Sequence, residues 1–395
     1  MHATLSPSWK KSLLLVFVSV VAFVTATPAT SGPQCFFQGL GFLPGGFSSF
    51  AAGVNANGTV VVGFSNRPHF PGIIPPEAFR WTAASGIVGL GFLPGALFSD
   101  ATGVNADGTV VVGNSINISV LGTPQAFRWT AATGMVGIGR VSRNVGNAAT
   151  GVNADGTVVV GNTIERFFAP QALRFPMTLL GFLPGDRSSR ALGVSADGTV
   201  VVGISSVVPF GSGQAFRWVN GTMTGLGFLP GGNASSANGV NADGKVVVGS
   251  SNDASGLSQA FRWTAASGMV GLDFLPGGGG SSARGVNADG TVVVGEANDA
   301  SGALQAFRWT AETRMQSVLT LLQAAKVDVN LFAGWQLRSA NGVSADGTVI
   351  VGDGVDPLGQ SQGWIARLPK ESNEDCEEDD DNQGDNDNQG ESTSQ

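Results

Sequence analysis

The segment Gly53-Val54-Asn55-Ala56-Asn57-Gly58-Thr59-Val60-Val61-Val62-Gly63 returns, with small changes, from Gly103, Gly151, Gly193, Gly239, Gly285 and Gly342. The seven copies are spaced by 50, 48, 42, 46, 46 and 57 residues. Periods of this length mark arrays in which each repeat is one supersecondary unit that buries its apolar face only against its neighbours. Two further segments travel with the first. Ala78-Phe79-Arg80-Trp81 follows as 126–129, 172–175, 215–218, 260–263 and 306–309, with Gly363-Trp364-Ile365-Ala366 as a weak copy. Gly-Phe-Leu-Pro-Gly begins at Gly41, Gly91, Gly181 and Gly227, with a variant from Asp273 and a decayed copy over 137–141.

Each unit reads as four short strands, a to d. Asn-Ala-Asp-Gly between two apolar stretches supplies the positive backbone angles of a hairpin turn, which pairs the segment before Asn105 with Thr109–Gly113. Phe127-Arg128-Trp129 alternates apolar and polar residues as a half-buried third strand does, and Gly134 turns the chain into a fourth at Met135-Val136-Gly137. The Leu-Pro-Gly that follows strand d breaks pairing and leads to the next unit. Composition agrees: 59 Gly, 24 Phe, no Tyr and 13% charged residues suit short strands and tight turns.

The expected architecture is therefore all-β, a seven-bladed β-propeller over residues 33–370. Its last repeat lacks a fourth strand, and Phe36 to Phe42 reads as a strand d with nothing before it. A propeller closed by that N-terminal strand leaves no unpaired edge at the ends of the array. One irregularity stands out. Met315 to Lys326 has helical apolar spacing, so a short helix is expected to replace or extend the outer strand of the sixth blade.

Both ends lie outside the repeats. Lys10 and Lys11 precede an apolar run to Val24 and a small-residue cleavage site, the layout of a signal peptide over residues 1–32. That run is shorter than the ~20 residues a membrane-spanning helix needs, so no span is expected after its removal. Residues 371–395 carry 11 acidic residues and no Lys or Arg, and are expected to be a disordered acidic tail. The formal charge of −8 thus belongs to the tail; the body has 21 basic and 18 acidic residues. The only two cysteines, Cys35 and Cys376, flank the expected closure and form a candidate disulfide for an exported chain.

The linked units Gln125-Ala126-Phe127-Arg128-Trp129, Gly225-Leu226-Gly227-Phe228-Leu229-Pro230-Gly231-Gly232 and Gly239-Val240-Asn241-Ala242-Asp243-Gly244 resemble the HAF repeat of extracellular proteins. The resemblance covers residues 38–368 and implies an exported repeat protein, sometimes attached to the cell surface, with no known reaction. The His that names the motif is Gln at 125, 171, 214, 259, 305 and 362 and Glu at 77, so any role of that imidazole is absent.

Chemistry-bearing residues are few. His69 is the only His beyond the leader, which leaves neither a metal cluster nor a triad, and no cofactor motif is present. The recurrent Asp at 107, 155, 197, 243, 289 and 346 reads as turn-forming. The recurrent Arg at 80, 128, 174, 217, 262 and 308 is expected to pair, partly buried, with turn carboxylates. The near-neutral body argues against nucleic acid as partner. Function is expected where the repeats differ most, on the face made by the d-to-a and b-to-c loops. The candidate ligand-binding residues there are Arg67, His69, Phe70, Asp253, Glu296, Asp299 and Asp353. The reading is a secreted or surface-attached monomer that binds an extracellular glycan or protein without catalysis. The alternative is an extracellular polysaccharide lyase or hydrolase, for which Asp253 and Asp299, at equivalent positions in adjacent blades, are the repeated acidic pair.

Overall fold

The computed structural model describes residues 34–66, 75–117, 123–139, 145–164, 169–175, 178–209 and 211–370. These form seven four-stranded antiparallel sheets, the blades of a β-propeller, with two short helices in one connection. The second blade shows the pattern: strand a is Phe98–Val104, b is Val111–Ile116, c is Pro124–Thr130 and d is Gly134–Gly137. Strand a is innermost and d outermost. In the seventh blade, strands a to c are Gln336–Val343, Val349–Val355 and Ser361–Arg367. Its fourth strand is Phe36–Gly39, paired from Phe36↔Arg367 to Gly39↔Trp364.

The a-to-b turns explain why Asn-Ala-Asp-Gly barely varies. Asn105 Oδ1 accepts from Val110 N at 2.8 Å, and Asp107 Oδ1 accepts from Thr109 N at 2.9 Å and Thr109 Oγ1 at 2.6 Å. Gly108 has φ +78°, and a β-carbon there would sit 2.6 Å from Val60 Cγ2 of the preceding blade. The Ala between Asn and Asp turns its amide to the next blade. Ala56 N donates to Ala106 O, Ala106 to Ala154, and so on to Ala345 N, which donates to Ala56 O at 2.9 Å. Seven backbone hydrogen bonds of 2.9–3.2 Å thus run unbroken around one face of the ring. The turn aspartates spend their acceptor capacity on their own loops, which is the turn-forming role.

The core lies between blades rather than within them. Val62 and Ala78 of the first blade pack, with Leu90 and Leu93 of the connection, against Ala101, Val111 and Phe127 of the second. Six further clusters repeat this at the other interfaces. The strand c Phe at 79, 127, 216, 261 and 307 is fully buried, and Leu173 and Trp364 take its place in blades three and seven. Loss of one such ring costs about 3–5 kcal/mol. Buried serines sew the blades together: Ser99 Oγ accepts from Ala78 N and donates to Gly91 O.

One expectation needs correction and another is narrowed. The strand c arginines do not pair with turn carboxylates: Nε of Arg80, Arg128, Arg217 and Arg262 donates to the glycine carbonyl of the next blade's turn, at 3.0–3.4 Å. A carbonyl at the right height is present in every turn, whereas the Asp oxygens are held by the turn itself. Arg308 departs, sending Nη2 to Lys370 O. Of the two alternatives for the helical insertion, the structure has the extension: the helix prolongs the sixth blade's outer strand rather than replacing it. Arg314–Ser317 is that strand, and helix α1 (Val318–Ala324) continues from it, capped by Ser317 Oγ accepting from Thr320 N. Helix α2 (Val329–Phe332) follows before strand a of blade seven.

Candidate functional site

Strand a of each blade lines the central channel, and each carries a β-bulge at the same place. In blade two the register shifts between Ala101 and Gly103, leaving Thr102 unpaired and turned inward. The equivalent residues are Ala52, Thr150, Leu192, Asn238, Arg284 and Asn341. A bulge re-aims its extra side chain and leaves the ladder on either side intact. Along strand a the Ala before the bulge and the Gly-Val after it are constant, while the bulge residue and the residue two before it change from blade to blade. Below the bulges, seven Gly-Val pairs from Gly53-Val54 to Gly342-Val343 form a throat. Neighbouring strands come close here: a β-carbon on Gly342 would lie 3.3 Å from Gly53 Cα of the adjacent blade. Above them the channel widens to a depression of about 560 Å³ toward the b-to-c and d-to-a loops.

Four of the seven bulge residues do structural work. Thr102 Oγ1, Thr150 Oγ1, Asn238 Nδ2 and Asn341 Nδ2 donate to the strand a alanine carbonyl of the next blade at 2.8–3.0 Å. Ala52 and Leu192 have no donor, and Arg284 instead holds both oxygens of Glu296 at 2.9 Å. At these three positions the inter-blade bond has been given up for a different channel surface. The residue two before each bulge, and its cross-strand partner on b, face the same side. In blade one these are Phe50 and Phe64, stacked at 4.8 Å between centroids. In blade seven they are Ser339 and Asp353. Asp353 Oδ1 accepts from Ser339 Oγ and Asn341 Nδ2, both at 2.7 Å, and its carboxylate has no cationic partner among the described residues. In blade two, burial pushes the Asp100 carboxyl up, partly offset by the 3.0 Å bond from Asn114 Nδ2. The mouth thus sets an aromatic pair beside a carboxylate-amide-hydroxyl cluster, with Arg284 on the neighbouring sixth blade and Leu192 across the ring.

No family model matches the chain, and no curated protein matches its sequence. Its fold is that of known propellers. Puromycin hydrolase is 15% identical, with a TM-score of 0.53 over 86% of this chain and 56% of the hydrolase. The β-propeller domain of the Trilobed protease from Pyrococcus furiosus is 9% identical, with a TM-score of 0.48 over 87% of this chain and 100% of the domain. TolB from Acinetobacter baumannii is 11% identical, with a TM-score of 0.40 over 79% of this chain and 81% of TolB.

The residues singled out from sequence divide. Asp353 lines the depression and Glu296 reaches it through Arg284. Asp253 and Asp299 do not line it. Each caps its b-to-c turn, Asp253 Oδ1 accepting from Ser255 N, Ser255 Oγ and Leu257 N, and Asp299 Oδ1 from Ser301 N, Ser301 Oγ and Ala303 N. The bond from Ser301 Oγ, then that from Gln305 Nε2, holds the Asp299 carboxyl at about 2. A general acid needs the opposite shift. Asp356 occupies the same place in blade seven. Arg67, His69, Phe70 and Cys376 lie outside the described residues, as do the leader and the tail. Sequence reading missed Phe50, Phe64, Arg284 and Asn341. The signal was present: the letter between Ala and Gly-Val-Asn or Gly-Val-Ser is the one that changes, as Ala52, Thr102, Thr150, Leu192, Asn238, Arg284 and Asn341.

Proposed function

We propose that this propeller is a non-catalytic binding scaffold that seats the end of a glycan chain in the channel mouth. One observation carries the reading: seven near-identical strands differ at the position where all seven meet. Retained structure would favour a donor at every bulge, because each donor satisfies a carbonyl of the next blade. Ala52, Leu192 and Arg284 break that rule at the mouth itself. A sugar presents an apolar C–H face and ringed hydroxyls, which suit the Phe50–Phe64 pair and the Asp353–Asn341–Ser339 cluster beside it. The reading includes export through the leader at 1–32, a monomer at the cell surface or beyond it, membership of the HAF-repeat group, closure of the ring by Phe36–Gly39 and a Cys35–Cys376 bridge.

The test is a screen of the purified chain against neutral and acidic polysaccharides, beside Phe64→Ala and Asp353→Asn. The expected result is saturable binding without product release, weakened tenfold or more in both variants. Release of shortened or unsaturated sugars would make the protein a hydrolase or lyase instead. Binding unchanged by both variants would remove the mouth as the site.

A further inference from the structure

Large exposed apolar side chains among the described residues include Val88, Val136, Leu179 and Val270 on outer strands and Phe47, Phe182 and Phe228 in d-to-a connections. Among the described residues, none of the large exposed ones comes from the a-to-b or c-to-d turns. On the opposite face, the b-to-c connections of four successive blades each present at least one. These are Val207 and Val208 in blade four, Leu257 in blade five, Leu304 where the connection enters strand c in blade six, and Leu358 in blade seven, exposed by 44–83%. The arc is extended at its end by the helical insertion. Gly334, which closes that insertion, lies against Pro357 beside Leu358, and Val329 and Leu331 of α2 are themselves exposed. Isolated exposed apolar residues need no explanation, but a run of them over adjacent elements of one face does.

Three of these connections are hydrogen-bonded alike. The first residue closes each turn by a backbone bond to the fifth: Asp253 N to Leu257 O, Asp299 N to Ala303 O and Asp356 N to Gln360 O, at 2.9–3.0 Å. The same Asp side chain caps each turn from within. Nothing in these turns needs leucine. Their stability comes from Asp and Gly, so the apolar side chain is displayed at no benefit to the fold. Two notches run between the connections, about 250 Å³ between blades four and five and about 130 Å³ between five and six, each of side-chain size.

Charge selects the occupant. The connections 207–213, 253–257, 299–303 and 356–360 contain three Asp and neither Lys nor Arg, and the insertion adds one of each sign, Lys326 and Asp328, so the arc stays net acidic. An anionic lipid surface would be repelled by this combination. A polypeptide surface with apolar side chains ringed by Lys or Arg would be attracted, and steered as it approached. We propose that this arc is a docking surface for a protein partner with a basic, apolar face. The site is independent of ligand binding in the mouth, which lies inside the arc. If both are occupied, the propeller bridges a glycan and a protein.

The test uses the full chain and a synthetic 14-residue amphipathic peptide of leucine and lysine, with a leucine-glutamate peptide and phosphatidylcholine vesicles as the other arms. Binding is measured by interferometry for the wild type and for Leu257→Ser, Leu304→Ser and Leu358→Ser combined. These side chains are exposed, so the thermal unfolding profile should not move; Leu358→Ser alone serves if it does. The expected result is saturable binding of the leucine-lysine peptide, weakened at least tenfold in the variant. The variant keeps the acidic tail, so equal binding to it would assign the signal to the tail and overturn the proposal. So would equal binding of the leucine-glutamate peptide, binding to vesicles alone, or no binding at all. Glycan binding reads out separately and should be the same in the variant as in the wild type.

Discussion

The two faces of this ring are built from the same strands and obey different rules. On the a-to-b turn face, Asn, Ala, Asp and Gly recur because each has a fixed job: acceptor, amide donor to the next blade, turn cap and positive φ. On the other face the strands end in a mouth where the one shared job, the inter-blade bond from the bulge, is kept in four blades and dropped in three. Phe50, Asp100, Arg190 and Ser236 occupy one equivalent position in four blades. Repetition therefore marks where the fold is held together, and its breakdown marks where selection answers to something outside the fold.

The largest expected effect lies on the constant face. Gly108→Val places a branched side chain at φ +78° and against Val60 of the preceding blade, and should cost about 3 kcal/mol in chemical denaturation. Glycan binding by the folded fraction should be unchanged. Weakened binding at equal folded concentration would show that the two faces are coupled, and the division drawn above would fail.

How much of this was legible in the sequence follows from the same division. The blades were readable because every Asn-Ala-Asp-Gly must satisfy the same local bonds, so the letters report the geometry directly. The strand c arginines were misread because a basic side chain suggests a carboxylate, whereas the nearest acceptor of right height is the Gly108 carbonyl or its equivalent. The mouth was harder. A bulge inserts one residue without changing the spacing of the motif around it, so Arg284 and Asn341 look like ordinary substitutions in strand a. Asp253 and Asp299 attracted notice for being equivalent in neighbouring blades. Equivalence is what a turn cap requires, whereas the proposed ligand site is made of residues that are not equivalent.

A smaller effect, of opposite sign, is expected at the mouth. Burial raises the Asp100 carboxyl in the folded chain, so between its unfolded and folded values the folded state binds the proton more tightly. Stability from this group is greatest below the unfolded value, near 3.8, and falls as pH rises through that window. Asp100→Asn keeps an acceptor for Asn114 and removes the penalty. The variant should be more stable than the wild type at pH 7, by under about 1 kcal/mol, because the site is partly open to water. The difference should vanish near pH 3. A variant less stable at pH 7 would mean that the charge is needed for the architecture of the mouth, and Asp100 would move to the structural side of the comparison.

The smallest effect separates two turns that sequence alone makes look identical. Asp253 and Asp299 cap their turns through the same serine and backbone donors, and both carboxyls lie below the ordinary value. Asp299 has one donor more, Gln305 Nε2 at 3.0 Å on its second oxygen. A lowered folded value means that the stabilisation is complete above the unfolded value, near 3.8, and is lost as pH falls toward about 2. Asp299→Asn should therefore flatten the acid limb of the melting temperature between pH 4 and pH 2, and Asp253→Asn should flatten it less. Gln305→Ala should bring the Asp299 contribution down to that of Asp253. Both carboxylates are fully exposed, so the shifts will be small and must be read as differences between parallel titrations. Equal acid limbs in Asp253→Asn and Asp299→Asn would show that the glutamine bond is lost in solution, leaving the two turns alike in energy as they are in sequence.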